Sequence, residues 1–281
     1  MITVSAPAKV NLYLHVIGKR QDGYHLLDSL FAFTRDGDEI VVENSDDLTL
    51  TVTNPDLSAG EDNIVMKAAR KLAQALDIEP KAAITLRKNL PVASGIGGGS
   101  SDAAATLEAL QLLWGKRLEP AALHRLATEL GADVPACLEK KAVAVSGIGE
   151  ILTPAPALPP FAVLLVNPNK PVSTPAVFKA RRPVFSEKAP LPPEAFADAG
   201  LFVRELKKRH NDLQDAACVI EPAVRDVLAA LERRDNALFS AMSGSGGTCF
   251  ALFSTEENAR KAALEIAGNH PDWWVKPSVL I

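Results

Sequence analysis

Polar and apolar residues alternate along residues 7–16, near the start of the chain. One face of this extended segment carries four apolar residues and the other carries four polar residues, Val10, Leu12, Leu14 and Val16 against Lys9, Asn11, Tyr13 and His15. Alternation with a period of two is typical of a strand with one buried face. We therefore predict a half-buried strand that presents a lysine and an asparagine next to each other.

The rest of the pattern predicts strands and helices that interleave. Apolar runs and alternation predict strands at residues 39–43, 48–53, 82–87, 142–145, 161–166 and 248–253. Helical periodicity and end signals predict helices at 63–76 (capped by Asp62 or Asn63), 102–114, 120–130, 198–208, 222–233, and from the capping pair Ser254 and Glu257 to about 267. Interleaving without strict βαβ regularity indicates an α+β fold.

The densest proline segment of the chain, residues 153–160, divides this pattern into two parts. Such a segment is typical of a linker or a crossing loop. The run FAVLLV at 161–166 is too continuously apolar for an exposed strand, so it begins a second core. We predict an N-terminal domain at residues 1–155 and a C-terminal domain at 156–281, which a chain of 281 residues can accommodate.

Composition and charge narrow the possible functions. A net charge of −4 gives no general attraction for phosphate backbones, so we expect no nucleic-acid partner. The three cysteines are far apart and odd in number, which argues against a disulfide framework and for a reducing compartment. No apolar run approaches the length of a membrane span. We expect a cytoplasmic protein without a membrane partner, and the oligomeric state, monomer or dimer, is left open.

The most informative stretch is PVASGIGGGSSDAAATLEAL, residues 91–110, where glycines and serines lie between a strand and a helix. Ser100, Ser101 and Asp102 are predicted to supply the helix N-cap. A helix N-terminus exposes unpaired N–H groups, and glycines let a phosphate approach the backbone closely. The alternative is a flexible loop before a helix. Neither the Walker A pattern nor Gly-x-Gly-x-x-Gly fits, since no Gly-Lys-Ser/Thr occurs and the third glycine counted from Gly95 falls on Ser100.

Three segments resemble, in order, the three motifs of the GHMP kinases. They are PAKVNLYL at 7–14, PVASGIGGGSSDAA at 91–104 and MSGSGGTCFALF at 242–253. The resemblance covers nearly the whole chain. It implies a two-domain GHMP kinase fold, with an N-terminal domain like one found in ribosomal proteins and a ferredoxin-like C-terminal domain. The activity that it implies is transfer of the γ-phosphoryl group of ATP to a hydroxyl.

Further segments resemble one branch of these kinases, whose members act on a cytidine-diphosphate-linked alcohol in isoprenoid biosynthesis. They are Arg20–His25, Gly131–Pro135 and Asn211–Leu213. The glycine loop departs from the commonest form of the branch at Val92-Ala93, where Met-Gly or similar is usual, and at Ile96, where leucine is usual. Every glycine of GIGGG remains in place.

The resemblance implies a role for individual residues in binding and transferring the phosphate. It makes Asp133 the base and Lys9 its cationic partner, and a neighbouring lysine would keep that carboxylate ionised. The alternatives are a helix or turn cap for Asp133 and a solvated strand residue for Lys9. The implied ATP-binding residues are Asn63, Pro91, Val92, Ala93, Ser94, Gly95, Ile96, Gly97, Gly98, Gly99, Ser100 and Ser101. ATP chemistry implies Mg²⁺, for which Ser100 or Ser101 is a candidate contact.

The resemblance also implies residues that bind the acceptor. It places Tyr24 and Phe178 on the two faces of a cytosine, with His25 hydrogen-bonded to the edge of the base and Asn11 and Thr174 elsewhere in the substrate site. Stacking tolerates any base, so selection for cytosine needs hydrogen bonds to its edge. The alternative for Tyr24 and Phe178 is ordinary packing, and a helix cap explains Asn63 equally well.

Two other functions stay open from the sequence. One is a GHMP kinase acting on a mevalonate derivative, homoserine or a sugar, which would have no use for a cytosine clamp. The other is a non-catalytic nucleotide- or RNA-binding module, because the N-terminal fold also resembles one found in ribosomal proteins. The acidic balance of the chain and the pair of Lys9 and Asp133 argue against the second.

Overall fold

The computed structural model describes all 281 residues. The strands are β1 Ile2–Lys19, β2 His25–Glu43, β3 Leu48–Val52, β4 Ala82–Arg87, β5 Val143–Gly147, β6 Ile151–Pro154, β7 Ala162–Asn167, β8 Phe239–Met242, β9 Cys249–Phe253 and β10 Trp274–Val279. The helices are α1 Ile64–Ala75, α2 Gly98–Trp114, α3 Pro120–Leu130, α4 Val134–Glu139, α5 Thr174–Ala180, α6 Ala199–Leu206, α7 Gln214–Ile220, α8 Ala223–Glu232 and α9 Glu256–Asn269, with a 3₁₀ helix at Pro193–Ala197. The α+β prediction is confirmed.

The chain forms two compact units, and each unit is discontinuous in sequence. The first unit comprises Met1–Ala8, Asp36–Leu90 and Gly97–Lys140. The second comprises Lys9–Arg35, Pro91–Ile96 and Lys141–Ile281. Strands β1 and β2 therefore contribute residues to both units, as does the glycine-rich stretch. The linear domain boundary at 155/156 stays a prediction.

In the first unit, strand β3 runs parallel to β4, and β4 pairs antiparallel with the C-terminal part of β2. Helices α1 and α2 pack against each other. The alanines Ala103, Ala104 and Ala105 are at most 1% exposed, so the small side chains at the start of α2 allow close packing. The predicted bounds of β4 and α3 are confirmed. Helix α3 begins at Pro120, where a missing N–H costs nothing, and is followed by Gly131 as C-cap.

The second unit contains the N-terminal part of β2, which pairs antiparallel with β5, and β5 in turn pairs with β6. A separate four-stranded antiparallel sheet has the order β10-β7-β9-β8. Every residue of β7 is buried, as its continuous apolarity predicts. Apolar side chains from this sheet and from helices α7, α8 and α9 form one core cluster.

Several local predictions are wrong in informative ways. The first strand is buried on both faces from Ala6 to Val16 rather than half-buried. Helix α2 begins at Gly98, four residues before its predicted start, so the expected capping residues lie inside the helix. Helix α9 is capped by Thr255 rather than Ser254, since the Thr255 side chain accepts a hydrogen bond from the N–H of Asn258.

Candidate active site

Lys9 and Asn11 lie next to each other on β1, and both are buried. Lys9 is 4% exposed and Asn11 2%, which excludes a solvated strand lysine. The Lys9 ammonium donates to Asn11 Oδ1 at 2.8 Å and stands 4.2 Å from the centroid of the Phe31 ring. A buried ammonium needs acceptors and a polarisable neighbour to offset its lost hydration. Such an environment is what a functional lysine requires rather than a surface one.

The glycine loop residues Pro91–Ile96 pack against a second glycine segment of the same unit, residues 243–248. Gly95 has φ +76, and a Cβ there would lie 2.5 Å from the carbonyl oxygen of Ser243. A Cβ on Gly244 would likewise lie 2.7 Å from the Gly95 carbonyl oxygen. Two further hydrogen bonds join the segments, from Ser243 Oγ to Gly95 O at 2.9 Å and from Thr248 N to Ser94 O at 3.0 Å. The second glycine segment therefore packs closely against the glycine loop and supports it.

The rest of the glycine stretch forms the first turn of α2. Gly97 occupies the N-cap position with φ 64 and provides no side-chain cap. The first amides of a helix lack intrahelical acceptors and carry the positive end of the helix dipole, so this turn can hold an anion. Ser100 is half-buried, whereas Ser101 is fully buried and donates through Oγ to Pro7 O at 2.7 Å. Of the two serines considered for a metal contact, Ser100 is the accessible one.

Asp102, which the sequence predicts to cap the helix, instead belongs to a buried cluster of charged side chains with Lys88 and Asp38. Lys88 bonds to both Asp38 and Asp102, the latter at 2.8 Å, and all three side chains are at most 5% exposed. Burial raises the pKa of Asp102 to about 7, against the opposing effect of Lys88. Burial lowers the pKa of Lys88, but Asp102 and Asp38 outweigh it and the net shift is upward. Asp102 thus belongs to an ion cluster rather than to a helix cap.

Asp133 occupies the N-cap position of the short helix α4, with φ −86 and ψ −14. Its side chain makes no capping hydrogen bond, because these helix-like dihedrals do not aim it at the amides of the first turn. Its backbone carbonyl accepts from Cys137 N at 3.1 Å and so helps to close the first turn of the helix. The helix-cap alternative for this carboxylate is therefore wrong.

Four of the five predicted substrate residues line one cavity of the second unit, which has a volume of about 740 Å³. They are Tyr24, His25, Thr174 and Phe178. Three cationic side chains line the same cavity, Lys19, Lys179 and Arg181. The fifth residue, Asn11, lies at the buried site beside Lys9. An aromatic cavity bordered by cations suits a ligand that combines a planar ring with negative charge.

The aromatic side chains of this cavity differ in exposure. The Tyr24 side chain is 60% exposed, which argues against ordinary packing. Phe178 is half-buried against the core, and its ring stacks on that of His25 at 5.0 Å and 25°. Burial, followed by Arg181 and Lys19, lowers the pKa of His25. His25 is consequently neutral at pH 7, with one ring nitrogen able to donate and the other able to accept a hydrogen bond.

Thr174 begins helix α5, a helix that the hydrophobic pattern did not predict. Its hydroxyl lies 2.7 Å from that of Ser245 in the second glycine segment. The helix fixes Phe178 four residues further on, because Ser173 caps α5 by accepting from Ala176 N. The structure thus links the aromatic cavity to the glycine segment through one short helix.

Comparison with known proteins identifies this arrangement. The family model of the GHMP kinase N-terminal domain matches residues 63–141, and that of the GHMP kinase C-terminal domain matches residues 194–272. The 4-diphosphocytidyl-2-C-methyl-D-erythritol kinase of Paramagnetospirillum magneticum is 50% identical over 283 residues, covering 99% of this chain and 98% of that protein. The chain belongs to the GHMP kinases. The same-named enzyme of Rhodospirillum rubrum is 48% identical over 280 residues, covering 99% of this chain and 92% of its own length.

Solved structures agree with this assignment of a GHMP kinase. A crystal structure of 4-(cytidine 5'-diphospho)-2C-methyl-D-erythritol kinase matches with a TM-score of 0.83 and 34% identity, covering 99% of both chains. Homoserine kinase from Cytophaga hutchinsonii matches with a TM-score of 0.72 at 23% identity, which shows the shared fold alone. The protein is therefore an enzyme that uses ATP as its phosphoryl donor.

Two further observations concern ligands of this GHMP kinase. Asn63 caps α1 by accepting from Val65 N at 2.9 Å, and its amide nitrogen donates to Ser58 O, so the capping alternative is what the structure shows. Its contact with ATP stays a prediction. No group of three or more histidine, cysteine or acidic residues is arranged to hold a metal ion. A separate finding concerns membranes: none of the helices has the length and apolarity that crossing a membrane requires.

Sequence reasoning missed several residues around this GHMP kinase site. Ser29 and Ser243 are buried and hydrogen-bond to Asn11, and Arg181 lines the aromatic cavity. Ser243 lies inside a recognised motif, so proximity to Gly244 was a usable signal. Ser29 carried none, because it belongs to the part of β2 that the hydrophobic pattern did not predict.

Proposed function

We propose that this kinase transfers the γ-phosphoryl group of ATP to the 2-hydroxyl of 4-diphosphocytidyl-2-C-methyl-D-erythritol, a step of the non-mevalonate route to isoprenoid precursors. The proposal is supported by relatives of that name at 50% and 48% identity over nearly the full length of the chain. The observation that carries it is the aromatic cavity of the second unit, with Tyr24, His25 and Phe178 beside three cationic side chains.

The cavity matches the two chemically distinct parts of a cytidine diphosphate group. Aromatic side chains stack on a base with a gain of about 1–3 kcal/mol, and the exposed Tyr24 ring is available for such a contact. The neutral His25 can hydrogen-bond to the edge of the base because its lowered pKa keeps one ring nitrogen unprotonated. Lys19, Lys179 and Arg181 would neutralise the diphosphate.

In the proposed reaction the backbone amides of residues 95–100 hold the phosphates of ATP, whereas the Ser101 amide already donates to Gly97 O at 2.9 Å. The acceptor oxygen attacks the γ-phosphorus while the bond from that phosphorus to the β,γ-bridging oxygen breaks, releasing ADP. Asp133 takes the proton of the hydroxyl, and Lys9 is its cationic partner, with Asn11 orienting Lys9. A base and a cation at the acceptor supply most of what phosphoryl transfer asks of a protein beyond positioning the phosphates.

Magnesium would bind chiefly through the nucleotide. The chain offers no cluster of acidic ligands, and Mg²⁺ is commonly held by phosphate oxygens, waters and one or two protein oxygens. The hydroxyl of the half-buried Ser100, at the first turn of α2, is the candidate protein contact. When bound, the ion would offset negative charge on the phosphates.

A substrate panel tests the proposal. The protein is incubated with ATP and, in separate reactions, with the cytidine-linked alcohol, homoserine and mevalonate, and formation of ADP is followed. We expect turnover with the first alcohol alone, and a fall of at least ~100-fold in kcat for Asp133→Ala, the size typical of a lost general base. Preference for homoserine or mevalonate would refute the substrate. Wild-type turnover in Asp133→Ala would refute the base.

A further inference from the structure

Ser29 lies on β2, is fully buried and touches the residue beside the buried lysine. Its Oγ accepts a hydrogen bond from Asn11 Nδ2 at 2.9 Å. The same oxygen donates its proton to the Tyr13 carbonyl at 2.5 Å. A serine hydroxyl has a single proton. Because that proton is committed to Tyr13, Ser29 can only accept from Asn11.

This commitment determines which way the Asn11 amide points. An amide group presents a donor on one side and an acceptor on the other. With Nδ2 directed to Ser29, Oδ1 faces the ammonium of Lys9 and accepts a hydrogen bond from it at 2.8 Å. The flipped amide would set an NH₂ group against the ammonium and an acceptor against the Ser29 oxygen, leaving both contacts without a shared proton. In a site this buried, two unsatisfied polar contacts are strongly unfavourable.

A second serine holds the backbone of Asn11 by the same logic. Asn11 N donates to Ser243 Oγ at 3.0 Å, and Ser243 Oγ donates its proton to Gly95 O in the glycine loop. Asn11 is thus fixed at both its side chain and its backbone. The side-chain amide could still rotate about its bond to Cβ, and the hydrogen bond to Ser29 prevents that rotation.

We infer that Ser29 is a positioning residue for phosphoryl transfer: its hydroxyl sets the Asn11 amide so that Lys9 is held at a fixed point beside the glycine loop. The inference rests on the proposed role of Lys9 in the reaction. Ser29 acts through Asn11 and does not itself touch substrate. Its removal should therefore change the rate of the chemical step and leave the binding of ATP almost unaltered.

A double-mutant cycle measures this indirect action. We expect Ser29→Ala to lower kcat about tenfold, equivalent to ~1.4 kcal/mol, with the KM for ATP within about twofold of wild type. In an Asn11→Ala background the same change should have no further effect, because there is no amide left to orient. The control is Ser278→Ala, which removes another buried serine, on β10, and should keep wild-type kcat. An equal loss in both backgrounds would overturn the inference.

Nuclear magnetic resonance tests the orientation without a variant or a substrate. In the wild-type protein, the Asn11 side-chain amide protons should show cross-relaxation to the Hβ protons of Ser29 and none to the Hε protons of Lys9. The reverse pattern would overturn the inference even if Ser29→Ala failed to fold. Since this measurement needs no turnover, a wrong substrate and a wrong role for Ser29 give separate results.

Discussion

Replacing Gly95 by alanine tests the close contact between the two glycine segments. Gly95 has φ +76, and its new Cβ would lie 2.5 Å from Ser243 O, 2.7 Å from Gly246 O and 2.9 Å from Gly246 N. All three neighbours are backbone atoms, so none can swing away as a side-chain end could. The substitution therefore adds a steric conflict to the conformational cost of a left-handed alanine.

Gly115 provides a matched control for the conformational part. It has φ +62, and a Cβ there would meet nothing within 4 Å. Left-handed backbone costs an alanine about 1–2 kcal/mol, and overpacking of a close-packed site typically adds ~1–3 kcal/mol. We therefore expect Gly115→Ala to reduce the free energy of unfolding by about 1–2 kcal/mol and Gly95→Ala by about 2–5 kcal/mol.

Urea unfolding followed by tryptophan fluorescence measures both values, and initial rates give the KM for ATP. Gly95→Ala should also raise that KM, since the loop must shift to relieve the conflict, whereas Gly115→Ala should leave it unchanged. Equal destabilisation by the two substitutions, with equal KM values for ATP, would refute the close-packing argument.

Two further predictions concern pH. The pKa of Asp102 is raised to about 7 in the folded protein, so between pH ~4 and 7 the folded state keeps a proton that the unfolded state releases. As pH rises through that range, wild type should lose free energy of unfolding relative to Asp102→Asn, by up to ~1.4 kcal/mol per pH unit. Urea unfolding at pH 4.5 and 7.5 measures this, and an equal difference between the two proteins at both pH values would contradict it. The pKa of His25 is lowered by burial and by Arg181, so the KM for the cytidine-linked alcohol should rise only below pH 6.5. Arg181→Met should move that rise to higher pH, and an unmoved profile would exclude the Arg181 effect.

Elements with strong local signals were predictable from the sequence. Strand β4 and helix α3 have the predicted bounds, because period-two alternation marks the strand and Pro120 and Gly131 mark the helix ends. The N-terminal part of β2, together with β8 and β10, was not predicted. These strands are defined by partners distant in the chain, as where Leu27 pairs with Gly147, and such pairing leaves little trace in a local pattern.

The start of α2 shows why local signals fail when tertiary contacts compete. Ser100, Ser101 and Asp102 have typical capping side chains, yet Ser101 bonds to Pro7 and Asp102 to Lys88. Ser101 and Asp102 thus each bond to a buried partner outside the helix, and those partners outweigh the local cap. The helix instead begins after Gly97, whose φ of 64 suits glycine.

The candidate site was predictable as a set of residues but not as a network. Motif resemblance gave Tyr24, His25, Thr174 and Phe178, which line one cavity. It gave neither the stacking of His25 on Phe178 nor the hydrogen bond that Asn11 donates to Ser29. The direction of a hydrogen bond to a hydroxyl depends on which other acceptor already takes the single hydroxyl proton. That acceptor can be identified only in the folded molecule.

The most direct test of the whole account compares the cytidine-linked alcohol with its unlinked fragment, methylerythritol phosphate, as acceptors for ATP. We expect kcat/KM to fall by at least ~100-fold for the fragment, because it would lack both the proposed stacking in the aromatic cavity and the proposed contacts of the diphosphate with the cavity-lining Lys19, Lys179 and Arg181. Equal kcat/KM for the two acceptors would contradict the claim that this cavity selects the substrate.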